Sequence, residues 1–312
     1  MVDKVTKKRP IICLTMIVKN EAKIIGRCLK AVRNLIDHWI IVDTGSTDNT
    51  QNEILEALEG VPGMLHFEDW KGFGPAKTTA LERAREAVGE NAYALMLDAD
   101  ELIQGKLPDI LTADAYGIVM QLNNVQYKNV RIFNLARKWS YTGVIHEFPT
   151  CDGGHWTDVY LQDVFITSPR DGARSNNPNK YQEDADLLEK TILEMKDCGL
   201  VHKDYPLLTR YVFYLAQSYR DAGDDQKAFI NYVKRSEMGG GSNWEEIYVS
   251  LLNAGRCMER MGAIREAEKL YLKAYHTWPD RVEALRELNR LLRRSLMESE
   301  HKQPIGQLFV ET

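Results

Sequence analysis

The feature that most constrains this chain is an alternation in its first hundred residues. Short β-rich apolar runs take turns with stretches whose apolar residues recur at helical spacing. Ile11 to Val18 reads as a strand, and Glu21 to Arg33 as a helix with Ile24, Ile25, Cys28, Leu29 and Val32 on one face. Trp39 to Val42 is a second run and ends in Asp43-Thr44-Gly45-Ser46. Thr50 to Leu58 is helical in pattern, and Met64 to Phe67 is a weaker strand. Pro75 opens a helix that Ala76, Ala80, Ala84 and Ala87 continue. Tyr93 to Leu97 is the fourth run and ends in Asp98-Ala99-Asp100-Glu101. This order predicts an α/β fold with a mostly parallel sheet covered on both faces. Ligands gather at the carboxyl ends of such strands, where the Asp43 turn and the Asp98 cluster fall.

Residues 112–170 are mixed and strand-like, and Arg170 to Lys180 (RDGARSNNPNK) reads as a long loop or linker. The chain then becomes helical and repeats itself. In Tyr211 to Arg235 and Tyr248 to Ala274, Gly223 aligns with Gly262, Ala228 with Ala267 and Tyr232 with Tyr271, each pair about 39 residues apart. The insertion Gly239-Gly240-Gly241-Ser242 accounts for the excess over a 34-residue period, so tetratricopeptide-like helix pairs are expected, with Val282 to Met297 as a capping helix. The plain alternative is an unspecialised helical bundle. The division expected is an α/β domain over residues 1–175 and an all-α domain over residues 176–312.

Composition narrows the function classes. Of 312 residues, 44% are apolar and 27% charged, a globular balance that excludes a mainly disordered chain. A formal charge of -5 argues against a nucleic-acid-coating protein. No apolar run reaches the roughly 18 residues a membrane span needs, and the basic start MVDKVTKKRP is followed by a strand pattern rather than a signal peptide. Cys13, Cys28, Cys151, Cys198 and Cys257 are scattered without a CxxC pair, which fits a reducing cytoplasm.

Asp98-Ala99-Asp100 is the central chemical signal. Residues two apart on extended backbone point the same way, so both carboxylates face one ligand. Like charges that close call for a cation, and a hard divalent ion, Mg2+ or Mn2+, prefers oxygen donors and bridges to phosphate. Alone, such a pair is more often a solvated strand end. Asp43 follows a strand and precedes a helix start, where it is placed either to bond a nucleobase or ribose or simply to cap a turn. Glu21 ends the first strand, where it either serves a ligand or favours the helix dipole.

The runs CLTMIVKNEAKIIGRCLKAV, IIVDTGSTDNT and YALMLDADE, followed by HFEDWKGFGPAKTTALERA and RIFNLARKWSYTGVIHEFP, resemble family 2 glycosyltransferases of the GT-A fold. With the repeats, they look like bacterial and phage members that carry a tetratricopeptide tail and modify lipopolysaccharide core sugars or peptides. The resemblance implies that Met16, Ile17, Val18, Glu21, Asp43, Gly45 and Ser46 line a nucleotide pocket. It places Lys77 where relatives usually have arginine, with a looser phosphate contact, and sets Asp98, Ala99 and Asp100 at the donor and metal. Relatives often carry a histidine after the last strand of this domain; here the segment reads Ile166-Thr167-Ser168-Pro169. Lys180 is retained in a later basic run, whereas Glu183 stands where arginine is common.

Transfer with inversion needs a base for the acceptor. Glu147 is the first candidate and His146 the second; His146 is also a candidate third metal ligand with Asp98 and Asp100. The plain alternative is a packed histidine beside a surface glutamate. Arg131 and Arg137 flank this segment as candidate phosphate contacts. Trp139 and Trp70 are candidate sugar-stacking rings, with core packing the stronger expectation for Trp70. The reading is a metal-dependent inverting transferase that uses a nucleotide sugar, most simply a UDP-sugar. A saccharide, lipid-linked saccharide or peptide is the acceptor, and the helical tail dimerises the enzyme or holds an extended acceptor. A scaffold with a degenerate catalytic domain is the alternative. A nucleotidyltransferase ranks last, because KNEAK replaces a glycine-rich phosphate loop.

Overall fold

The structure is a computed structural model that describes residues 9–122, 125–200, 206–239 and 243–300. The basic start up to Lys8, and residues 240–242 of the glycine-rich insertion, lie outside the described residues. Two compact units divide the chain, Met1–Pro178 and Asn179–Thr312.

The first unit runs β1 (Ile11–Val18), α1 (Ile25–Val32), β2 (His38–Asp43), α2 (Thr50–Ala57), β3 (Gly63–Phe67), α3 (Phe73–Val88), β4 (Ala92–Met96) and β5 (Leu102–Gly105), then β6 (Ala115–Leu122), β7 (Val125–Asn134), β8 (Trp139–Thr142), β9 (Phe148–Cys151) and β10 (Asp158–Thr167). Its main sheet has the order β3-β2-β1-β4-β7-β6-β10-β5, and β8 pairs with β9 in a separate ribbon. The first four strands in that order are parallel, as are β6 and β10, while β7 is antiparallel to both β4 and β6. The sheet is therefore mostly parallel.

Alternation along β1 explains the two covered faces. Ile12, Leu14, Met16 and Val18 join Ile25, Cys28, Leu29 and Val32 of α1 in one core cluster. Cys13 faces the other way, into a cluster with Ala80, Leu81 and Ala84 of α3. Each large side chain so buried contributes about 1.5–3 kcal/mol, and the alanines let α3 lie close to the strands. Helix α3 starts two residues before Pro75, which sits in the first turn, where its missing N–H has no intrahelical partner to lose. Helix α1 starts at Ile25 rather than Glu21, because residues 21–24 make a turn in which the Ile24 and Ile25 amides donate to the Glu21 carbonyl.

The second unit is all-α: α4 (Lys180–Asp197), α5 (Pro206–Asp221), α6 (Asp225–Glu237), α7 (Trp244–Arg260), α8 (Ile264–Thr277) and α9 (Glu283–Glu300). Gly223 and Gly262 fall in corresponding turns, before α6 and before α8, and Ala228, Tyr232, Ala267 and Tyr271 are fully buried. Asp224 caps α6 by accepting from the Lys227 amide.

Candidate functional site

The parallel strands bring their carboxyl ends together. Val18 pairs with Asp43 across β1 and β2, and Asp98 lies just past the end of β4. The turn after β2 is built on Asp43. Its Oδ1 accepts the Gly45 and Ser46 amides at 3.0 and 2.7 Å, and its Oδ2 accepts the Gln51 side-chain amide at 3.0 Å. Gly45 has a φ of 105°, a conformation that favours glycine. Asp43 is only 1% exposed, so both its oxygens serve the turn. The neighbouring loop is tied to that turn: the Asn20 amide donates to Ser46 Oγ, the Thr47 amide to Asn20 Oδ1, and the Glu21 amide to Thr50 Oγ1. Met16 and Val18 are core residues, and Ile17 is partly buried against the opposite face.

Past β4 the chain builds a charge network. Lys77 Nζ lies 2.7 Å from Glu147 Oε1 and 3.5 Å from Asp98 Oδ1. Arg131 Nη1 lies 3.8 Å from Asp98 Oδ2, and its Nη2 donates to Glu101 Oε1. Glu101 Oε2 accepts the Asp98 backbone amide at 2.9 Å. Lys77 and Glu147 side chains are 11% and 10% exposed, whereas the Asp98 side chain is 40% exposed.

Local sequence explains this convergence. A Cβ on Gly74 would sit 2.9 Å from the Gly143 carbonyl oxygen and 3.0 Å from that of Tyr141. Only glycine lets the first turn of α3 approach the β8 ribbon so closely. Thr78 adds a tie, accepting the Tyr141 amide at 2.9 Å. Lys77, one residue earlier, is thereby carried to Glu147. Arg131 arrives because β7 runs antiparallel beside β4, with Leu95 opposite Ile132.

Burial works against the Lys77 ammonium, but Asp98 and Glu147 beside it push its pKa up. Burial likewise opposes the Asp98 carboxylate, and Lys77 and Arg131 outweigh it, holding the group below the ordinary carboxylate value. Burial pushes Glu101 up despite the pull of Arg131. Asp100 is also raised, by burial and then by the charge of Asp98, while the hydrogen bond from Ser168 pulls it back.

The segment after β10, expected as a loop or linker, closes on these groups. Ser168 Oγ donates to Asp100 Oδ2 at 3.1 Å, Arg27 pairs with Asp171, and the Ala173 amide donates to the Glu21 carboxylate at 3.1 Å. A Cβ on Gly172 would lie 3.3 Å from Glu21 and 3.7 Å from Asp100 Cβ. Burial pushes Glu21 up, and the Ala173 amide partly offsets it. Asp98, Asp100 and Ser168 offer hard oxygen donors, and Asp100 is raised first by burial and then by the charge of Asp98. In donor chemistry, oxygens of this type suit Mg2+ or Mn2+.

Arg137 falls outside this network. Asp98, Asp100 and His146 do not assemble: among the described residues, no group of three or more His, Cys, Asp or Glu side chains stands where it could hold a metal ion. His146 is exposed, in a turn with φ 50° between β8 and β9. Arg137 follows the far end of β7, where it pairs with Asp114 and Asp152. Lys180 opens α4 in the second unit, its ammonium 5.3 Å from the Tyr181 ring centre, and Glu183 lies on the same helix. The burial of the two tryptophans is the reverse of the expectation from sequence. Trp139 packs on Phe133 and Trp156 in the core, while Trp70 is 45% exposed beside Phe73. Lys77 is held between the Asp98 and Glu147 carboxylates. Glu101 escapes a reading that weighs only the two aspartates of the acidic run; a third carboxylate beside them is the signal that points to it.

Residues 13–146, which lie within the first unit, match the model of the family "Glycosyl transferase family 2". The lipopolysaccharide core biosynthesis glycosyltransferase LpsC of Rhizobium meliloti is 30% identical over 112 residues, 36% of this chain and 37% of that protein. A TPR repeat-containing protein of Synechococcus elongatus is 36% identical over 90 residues, 29% of this chain and 20% of that protein. The chain thus spans between a fifth and somewhat over a third of the length of these relatives. Among solved structures, TarS 1-349 of S. aureus aligns over 96% of this chain and 94% of its own at 13% identity, with a TM-score of 0.38.

Proposed function

We propose that the first unit is an inverting, metal-dependent glycosyltransferase that takes its sugar from a nucleotide sugar, most simply a UDP-sugar. One observation carries the reading: the buried ammonium of Lys77 ties the Glu147 carboxylate to Asp98, the donor-side carboxylate. A base for the acceptor and an anchor for the donor thus share one opening. The family match supports sugar transfer as the reaction class.

In this reading Glu147 accepts the proton of the acceptor hydroxyl or thiol as that atom attacks the anomeric carbon. The bond to the nucleoside diphosphate breaks on the opposite face, and the diphosphate leaves with the electron pair. Lys77 holds Glu147 in place. Asp98 and Asp100, with Ser168 beside them, would hold Mg2+ or Mn2+, which when bound offsets charge on the departing diphosphate. Asp43 and its turn shape the wall of the nucleotide pocket. His146 stays the second candidate for the base, and its exposed turn gives it less support. The helical unit is proposed to hold an extended saccharide, lipid-linked saccharide or peptide acceptor, or a second copy of the chain. No described helix is long and apolar enough to cross a membrane. The five cysteines are free, which supports a reducing compartment such as the cytoplasm.

The test is turnover of UDP-sugars with Mn2+ or Mg2+. Chelation and Asp100→Ala are expected to abolish it. Glu147→Gln is expected to keep UDP binding and lose about 10²- to 10⁴-fold in rate. Turnover that survives both chelation and Asp100→Ala rules out the metal mechanism, and a wild-type rate in Glu147→Gln removes Glu147 as the base.

A further inference from the structure

Glu101 and Arg131 form a buried ion pair directly behind Asp98. One Glu101 oxygen accepts the Asp98 backbone amide, the other accepts from Arg131, and Arg131 extends its second nitrogen toward the Asp98 carboxylate. Arg131 Nε is buried without a hydrogen-bond partner. As a device for stability this is a poor choice. Withdrawing two ions from water costs more than their attraction reliably returns, and an orphan donor adds to the cost. What the pair does deliver is geometry. Both the backbone and the carboxylate of Asp98 are held by the one pair, while its side chain stays 40% exposed.

We propose that Glu101 and Arg131 are positioning residues that hold Asp98 in the orientation that receives the nucleotide donor. The proposal deepens the glycosyltransferase reading and rests on it for the identity of the ligand. It also reassigns Arg131: its guanidinium is turned to two carboxylates of the protein and not to a phosphate.

The experiment compares wild type with Glu101→Gln, with Arg131→Lys, and with the double variant Glu101→Leu/Arg131→Met, in which no charge is left stranded. Three quantities are read on the full chain: melting temperature, amide hydrogen exchange at residues 97–101, and affinity for UDP with Mn2+ by calorimetry. If the pair merely stabilises the fold, the double variant recovers all three. The expected result is a near wild-type melting temperature, with exchange faster by about tenfold or more and UDP–Mn2+ affinity lower by about 10- to 100-fold. Arg131→Lys, which keeps the charge, is expected to retain more affinity than the double variant. Wild-type exchange and wild-type affinity in the double variant overturn the proposal. If the double variant does not fold, exchange and affinity are measured on the near-isosteric Glu101→Gln, where wild-type values of both overturn the proposal equally. Wild-type protein that fails to bind UDP–Mn2+, while exchange still quickens in the variants, leaves the positioning role standing and defeats the choice of donor instead.

Discussion

Lys77→Met removes the cation that faces both Glu147 and Asp98, and its cost is set by what remains. At 2.7 and 3.5 Å, the two attractions are worth about 6 and 5 kcal/mol gross at an effective dielectric of 20. Most of this offsets the cost of drying the ions, so the measurable quantity is the penalty for leaving a buried charge uncompensated, about 3–5 kcal/mol. The Asp98 side chain is 40% exposed and keeps part of its hydration, which moves the expected value to about 3 kcal/mol. For a unit of this size that is a fall of about 6–12 °C in melting temperature. Calorimetry on the full chain reads it. Lys77→Arg keeps the charge and should fall less. Lys77→Met/Glu147→Gln should recover part of the loss, because Glu147 is the more deeply buried of the two stranded carboxylates. A Lys77→Met protein that melts within about 2 °C of wild type refutes the claim that this ammonium compensates buried charge.

Two further predictions concern the helical unit. In Gly255→Ala, the new Cβ would lie 2.5 Å from Cε1 of the fully buried Tyr271 ring. Overpacking of about 1–3 kcal/mol is set against a helix-propensity gain of about 1 kcal/mol, so thermal melts should show a net loss; an increase in stability contradicts it. In acid, hydrogen bonding from Arg281 holds Glu283 down at about 2 from its ordinary 4.5. A depressed folded-state value means that the contribution is full above pH 4.5 and fades as pH falls toward 2. Wild type should therefore lose more stability across that window than Glu283→Gln does, and parallel melting curves against pH refute the assignment.

Much of the fold was legible because it is written in local periodicity. The four apolar runs of the first hundred residues all became strands of the parallel half of the sheet, and the Asp98 cluster fell at a carboxyl end. The helix pairs were legible for the same reason, since small residues and tyrosines recur at fixed offsets. The charge network was not, because its members lie on α3, the β4–β5 connection, β7 and the β8–β9 turn. It exists only once β7 pairs antiparallel to β4 and Gly74 lets α3 touch the β8 ribbon. Asp43 was legible only in part. Its residue type suits both a ligand and a turn, and only the folded chain shows its oxygens on the Gly45 and Ser46 amides and on the Gln51 side chain.

The charge balance of the opening bears on what it can bind. Glu147, Asp98 and Glu101 face Lys77 and Arg131, so the network carries one more acid than base before Asp100 and Glu21 are added. Burial first, and then neighbouring carboxylates, raise both of those acids, so the site already resists further negative charge. A nucleoside diphosphate brings further negative charge. Neither of the two cations of the network is placed to meet it, since Lys77 is committed to Glu147 and Asp98, and Arg131 to Asp98 and Glu101. An anionic donor and an acidic opening are compatible when a divalent cation lies between them, and repel when it does not. In the proposed reading, a donor bridged by a cation would meet less repulsion here than a bare one. The arrangement also gives the protein's own cations a different task, which is to keep Glu147 and Asp98 where they are needed.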